Sequence, residues 1–179
     1  MKIIEKAKYN LGERKLNREI KKRDFPVMIL SSFFTDSVDV LILLPSNDIL
    51  FPLSLDVARF FKIHKKNVTL LLPEHKRNLL ANNFDYSFIT FGVNSVTNLY
   101  LPDERLISTV QQNDFDLFID LETSNSIFYS AIAFNVKAKF KLTLFPKNGR
   151  ENIYNLLLNT NETNYENSFR NLLNSIQMF

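Results

Sequence analysis

A chain of 179 residues, 45% apolar and carrying 17 phenylalanines, can bury one sizeable core, and one domain is the default at this length. It has no cysteine, which excludes disulfides, thiolate nucleophiles and cysteine metal sites. Its two histidines, His64 and His75, sit among Lys and Arg where a metal ion is repelled, so no metal site is expected. The net charge of +3 is uneven: residues 1–24 carry nine basic and four acidic side chains, a balance of +5, and the rest sums to −2.

In chain order, residues 2–23 read as a basic, weakly amphipathic helix whose thin apolar stripe, Ile4, Ala7, Leu11, Leu16 and Ile20, is crossed by Gly12. We divide the chain into this arm, 1–24, and a single α/β domain, 25–179. The run VMILSSFF after Pro26 fits a strand or a packed turn. Val38–Leu44 is a continuous apolar run of strand length, the kind that suits a strand covered on both faces. A helix at about 52–65 follows, with Leu53, Val57, Phe60 and Phe61 at helical spacing and a basic cluster at its end. Next come a strand at Val68–Leu72, a helix opened by Pro73 and Glu74, and a strand at Tyr86–Phe91 closed by Gly92. Pro102-Asp103-Glu104 opens a helix to about Asn113, before a strand at Phe115–Leu121, a helix from about Thr123 to Val136 and a strand at Ala138–Phe145. Asn148-Gly149 marks a turn, Ile153–Leu158 an edge strand, and a final helix at about 163–178 aligns Tyr165, Phe169, Leu172, Leu173 and Ile176. Strand and helix alternating at roughly 20 to 30 residues imply right-handed crossovers and a parallel sheet. The fold class expected is therefore α/β, a Rossmann-like sheet of five or six mainly parallel strands with helices on both faces.

In such sheets ligands sit at the carboxyl ends of the strands, where the strand order reverses. In a doubly wound order the loops carrying Asp48 and Asp120 leave adjacent strands at that edge. The candidate crevice then comprises Ser46, Asn47, Asp48, Asp120, Glu122, Thr123 and Ser124. Each carboxylate has a plainer role as a helix cap, since Asp, Ser and Thr satisfy free N–H groups at helix starts. No glycine-rich phosphate loop, nucleophile elbow or Cys/His pair is present, so no cofactor is expected and hydride transfer and triad hydrolysis lack support.

LILLPSNDILFPLSLDVARFFKIHKKNVTLLLP and NDFDLFIDLETSNSIFYSAIAFNVKAKFKLTLF together resemble the N-terminal, acceptor-side lobe of glycosyltransferase family 9, the lipopolysaccharide heptosyltransferases. Asn47-Asp48 stands where that family has Gly-Asp, and Phe115–Leu121 matches its second strand, with Glu122-Thr123 in place of Gln-Gly. The resemblance implies one lobe of a GT-B enzyme, with Asp48 as general base toward an acceptor hydroxyl. The family's nucleotide-sugar site lies on a second lobe. The chain is also similar, over its whole length, to short uncharacterised bacterial proteins that begin with a basic helix like Lys15-Leu16-Asn17-Arg18-Glu19-Ile20 and share the Phe115–Leu121 strand and the Ala138-Lys139-Phe140 segment.

From these readings we expect a non-catalytic protein that self-associates or binds a protein partner. The alternative is the acceptor half of a split glycosyltransferase whose donor lobe is another chain. The basic arm suits a partner or a weak contact with an anionic membrane surface; its four acids and the lack of aromatic-studded basic strands disfavour nucleic acid. With no long apolar run and no signal-peptide core, the expected location is cytoplasmic, peripheral to the inner membrane at most.

Overall fold

A computed structural model describes residues 3–22, 33–80, 85–158 and 165–177. Helix α1 (Ile3–Lys21) leads to a one-turn helix α2 (Phe33–Asp36), then β1 (Asp39–Leu43), α3 (Leu50–Ile63), β2 (Asn67–Pro73), a 3₁₀ helix (Glu74–Leu79) and β3 (Ser87–Phe91). The second half runs α4 (Glu104–Gln111), β4 (Phe115–Asp120), α5 (Ile127–Asn135), β5 (Ala138–Thr143), β6 (Leu156–Leu157) and α6 (Tyr165–Gln177).

The six strands form one all-parallel sheet in the order β3-β2-β1-β4-β5-β6, so this is a Rossmann-like α/β domain. The continuous apolar runs exist because both sheet faces are covered. Val40, Ile42, Leu70 and Leu117 point to one face with α3 and α6, and Leu41, Leu43, Leu71 and Phe118 to the other with α1, α4 and α5. Helix α5 is apolar almost all round because it lies between the sheet and the outer helices, and Lys141 Nζ caps its last turn through the Ala133 and Phe134 carbonyls at 2.6 and 3.2 Å. Helix α6 buries Phe169, Leu172 and Ile176 of its expected stripe.

Helix α1 lies along this second face. Leu16 and Ile20 enter the core, and Gly12 is needed for the close approach: a Cβ there would collide with the Leu99 carbonyl oxygen. Gly12 therefore makes the seam rather than interrupting it.

Several boundaries differ from expectation for identifiable reasons. The segment after Pro73 is a 3₁₀ helix, because Glu74-His75-Lys76-Arg77-Asn78 offers no apolar stripe for an α-helix to bury. The helix expected from Thr123 begins at Ile127, because side chains hold the intervening loop in another shape. The edge strand is only Leu156–Leu157, since Glu151–Ile153 forms a 3₁₀ turn and Tyr154 is buried. Residues 23–32, with most of VMILSSFF, lie outside the described residues.

Candidate functional site

The strand order reverses between β1 and β4, which pair directly, with Leu43 opposite Asp120. The loops that follow these strands therefore face each other at the carboxyl edge; six of the candidate residues lie on them and Asp120 is the last residue of β4. Their roles are unequal.

Asn47, not Asp48, holds the start of α3. Its Oδ1 accepts from the Ile49 and Leu50 N–H groups at 2.8 and 3.1 Å, while Pro52, in the first turn, loses no intrahelical bond. Asp48 projects outward with its side chain 91% exposed, and Lys76 Nζ lies 2.9 Å from its Oδ1. The Lys76 ammonium holds the Asp48 carboxyl below the ordinary carboxylate value. Lys76 itself is buried and lies over the Phe51 ring, 4.8 Å from its centroid.

Asp120 caps no helix either; Ser126 does that for α5, accepting from the Phe128 N–H at 3.2 Å. Asp120 is fully buried, accepting from the Glu122 N–H at 2.8 Å through Oδ1 and from the Tyr154 hydroxyl at 2.5 Å through Oδ2. Burial pushes its carboxyl up, against the pull of Lys147 and of these hydrogen bonds.

Glu122 is the residue that closes the crevice. Fully buried, its carboxylate accepts from the Ser46 N–H of the β1 loop at 2.7 Å and from the Ser124 N–H at 2.9 Å. In phosphate-binding α/β proteins the backbone N–H groups of this first loop face the ligand's anion. Here an internal carboxylate takes the Ser46 donor. Thr123 is half-buried in the same loop, and the buried Ser124 hydroxyl has no hydrogen-bond partner among the described residues.

The positive charge comes from the turn after β5. Lys147 Nζ, buried, donates to the Glu122 carbonyl and to the Ser124 carbonyl at 3.3 Å, and lies 3.9 Å from Asp120 Oδ2. Arg150, also buried, reaches Glu13 of α1 at 2.5 Å, Asn17 at 3.4 Å and Asn125 at 3.3 Å. Gly149, at φ +74°, makes the tight turn that presents both cations to the same edge. Burial, and then the Glu122 and Asp120 carboxylates, push the Tyr129 phenol up to about 12, against a hydrogen bond with Ser46.

The two carboxylates expected to share the crevice thus separate, Asp120 inside a saturated network and Asp48 outside it. Lys147, Arg150, Tyr129 and Tyr154 were not among the expected site residues. The signal available was the pairing of Lys147 and Arg150 across the Asn148-Gly149 turn. Among the described residues no three carboxylate or imidazole groups converge as a metal site would require, and no helix is long and apolar enough to cross a membrane.

A family model matches residues 8–178, nearly the whole chain. The protein belongs to the family of unknown function DUF6913. No curated protein and no solved structure matches the chain. The membership assigns no activity and carries no link to glycosyltransferase family 9.

Proposed function

We propose that this DUF6913 protein is a non-catalytic, self-associating or partner-binding protein that keeps the body of a sugar-transferase acceptor lobe with its ligand crevice filled from within. One observation carries the reading: the Glu122 carboxylate accepts the Ser46 N–H, and Lys147 lies behind it on the carbonyls of the same loop. A phosphate or sugar entering between β1 and β4 must displace a buried, hydrogen-bonded carboxylate, which leaves buried donors unpaired.

The rim of the sheet's carboxyl edge on the β1–β3 side of the filled crevice supports the second half of the proposal. Ile49 after β1 and Val93 after β3 are large aliphatic side chains exposed at the same carboxyl edge. Val93 borders an open groove of about 480 Å³ with Phe88, Asp103 and Arg105 on its walls. Exposed aliphatic side chains at this edge suit a protein surface better than a small polar ligand. Light scattering of the intact chain tests this directly. The expected result is a dimer or larger species that dissociates when Ile49→Ser and Val93→Ser are combined, or a stable monomer whose protein partner is lost with the same pair. An unchanged assembly in the double variant overturns the assignment of this rim.

The split-glycosyltransferase reading draws on Asp48, which is exposed at the mouth of the crevice and kept ionised by Lys76. A carboxyl held low is a poor proton acceptor, which weighs against a general base. Sugar transfer by this chain together with a separately encoded donor lobe, abolished by Asp48→Asn, establishes that reading; full activity in Asp48→Asn removes Asp48 from it.

A further inference from the structure

The outward face of α1 is unlike the rest of the surface. With Gly12, Leu16 and Ile20 against the body, a helix of 3.6 residues per turn turns Ile3, Ile4 and Leu11 to solvent in its first half. These three are 89%, 70% and 56% exposed. The second half of the same face carries Arg14, Lys15, Arg18 and Lys21, all exposed. No carboxylate shares that face. Glu13 is turned inward to the buried Arg150, Glu5 falls on the stripe of Gly12 and Leu16, and Glu19 lies on the flank. The pairing with Arg150 thus removes an acid from the outer face and also fixes the helix, so the cationic strip is presented by a rigid body.

We propose that this face docks on an anionic lipid surface, with Ile3, Ile4 and Leu11 entering the headgroup boundary and the basic half lying over lipid phosphates. The charge calls for a polyanion, and the aliphatic side chains select among polyanions. Nucleic acid has no use for exposed isoleucine and leucine on a helix whose one aromatic, Tyr9, is packed against Tyr100 of the body, whereas a lipid interface takes up apolar side chains beside basic ones. The small apolar area makes the contact reversible and dependent on salt. This inference goes beyond the proposed function: it uses the outward face of α1, whereas Arg150 joins the inward side of that helix to the crevice network through Glu13 and Asn17.

The test is flotation of the intact chain with vesicles of phosphatidylcholine alone or mixed equally with phosphatidylglycerol. Binding is expected only to the mixed vesicles and falls as salt rises. Replacing Arg14, Lys15 and Arg18 by Gln is expected to weaken it by about fivefold for each charge removed. Ile4→Ser with Leu11→Ser weakens it several-fold, and both variants melt within a few degrees of the parent because the altered side chains point outward. No binding to mixed vesicles at low salt overturns the proposal. So does vesicle binding that survives loss of the aliphatic pair, which reduces the contact to charge alone with no insertion of Ile4 and Leu11.

Discussion

Asp116 and Asp120 lie on the same strand, β4, and each meets a lysine supplied from the neighbouring β5 side. At the amino edge of the sheet, Asp116 accepts from the Val38 and Asp39 N–H groups at 2.8 and 3.0 Å and from the exposed Lys139 at 2.7 Å. Although burial works against it, these contacts hold the carboxyl down at about 2. At the carboxyl edge Asp120 has Lys147, Tyr154 and a backbone N–H, yet burial outweighs them and raises it. The partners are of similar kind; solvent access decides. One end of the sheet is tied by an ordinary surface ion pair, the other by a buried charge network that stands where ligands usually bind.

The largest expected effect breaks the buried end. Lys147→Met leaves Asp120 and two loop carbonyls without their cation, and removal of one partner from a buried pair costs about 3–5 kcal/mol, read by denaturant unfolding. Adding Asp120→Asn to Lys147→Met is expected to restore part of the loss, because the uncompensated charge is gone. Next comes the helix that Arg150 ties to this network. Gly12→Ala gains helix propensity but drives a methyl into the Leu99 carbonyl, with a net loss of about 1–3 kcal/mol and a lower Tm.

The pH profile then separates the two aspartates. Asp116 titrates at about 2 in the folded state, below its ordinary 3.8, so its contribution is full above about pH 4 and is lost as pH falls toward 2. Asp120 runs in the opposite sense: with a raised folded value, it penalises the fold as pH rises above 3.8 and relaxes on acidification. Stability measured between pH 4 and 2 is therefore expected to fall in the parent and to flatten in Asp116→Ala. The smallest effect is that variant at neutral pH, about 1 kcal/mol, because Lys139 is solvated and the pair is screened.

Much of this architecture is legible in the sequence because it rests on local pattern. Continuous apolar runs announce strands buried on both sides, and their alternation with helices announces a parallel sheet; that Asp48 and Asp120 leave adjacent strands holds only for a doubly wound order, which the β1–β4 pairing supplies. Caps were harder: Asn47 and Ser126 hold the helix starts expected of Asp48 and Asp120, since the shape of the loop decides which oxygen meets the N–H groups. The network at the edge was not legible. Lys147 meets Glu122 across 25 residues and Arg150 meets Glu13 across 137, and a basic residue beside a turn has the composition of a solvated loop. Only the tertiary fold removes those cations from water.

The central claim is that the crevice between β1 and β4 is filled by Glu122 and Lys147. Isothermal titration of the intact chain with nucleotides and nucleotide sugars tests it most directly. No saturable heat is expected at ligand concentrations well above those at which sugar-transfer enzymes bind. Specific micromolar binding that disappears in Glu122→Gln or Lys147→Met would contradict it, by showing that the network is a ligand site rather than its substitute.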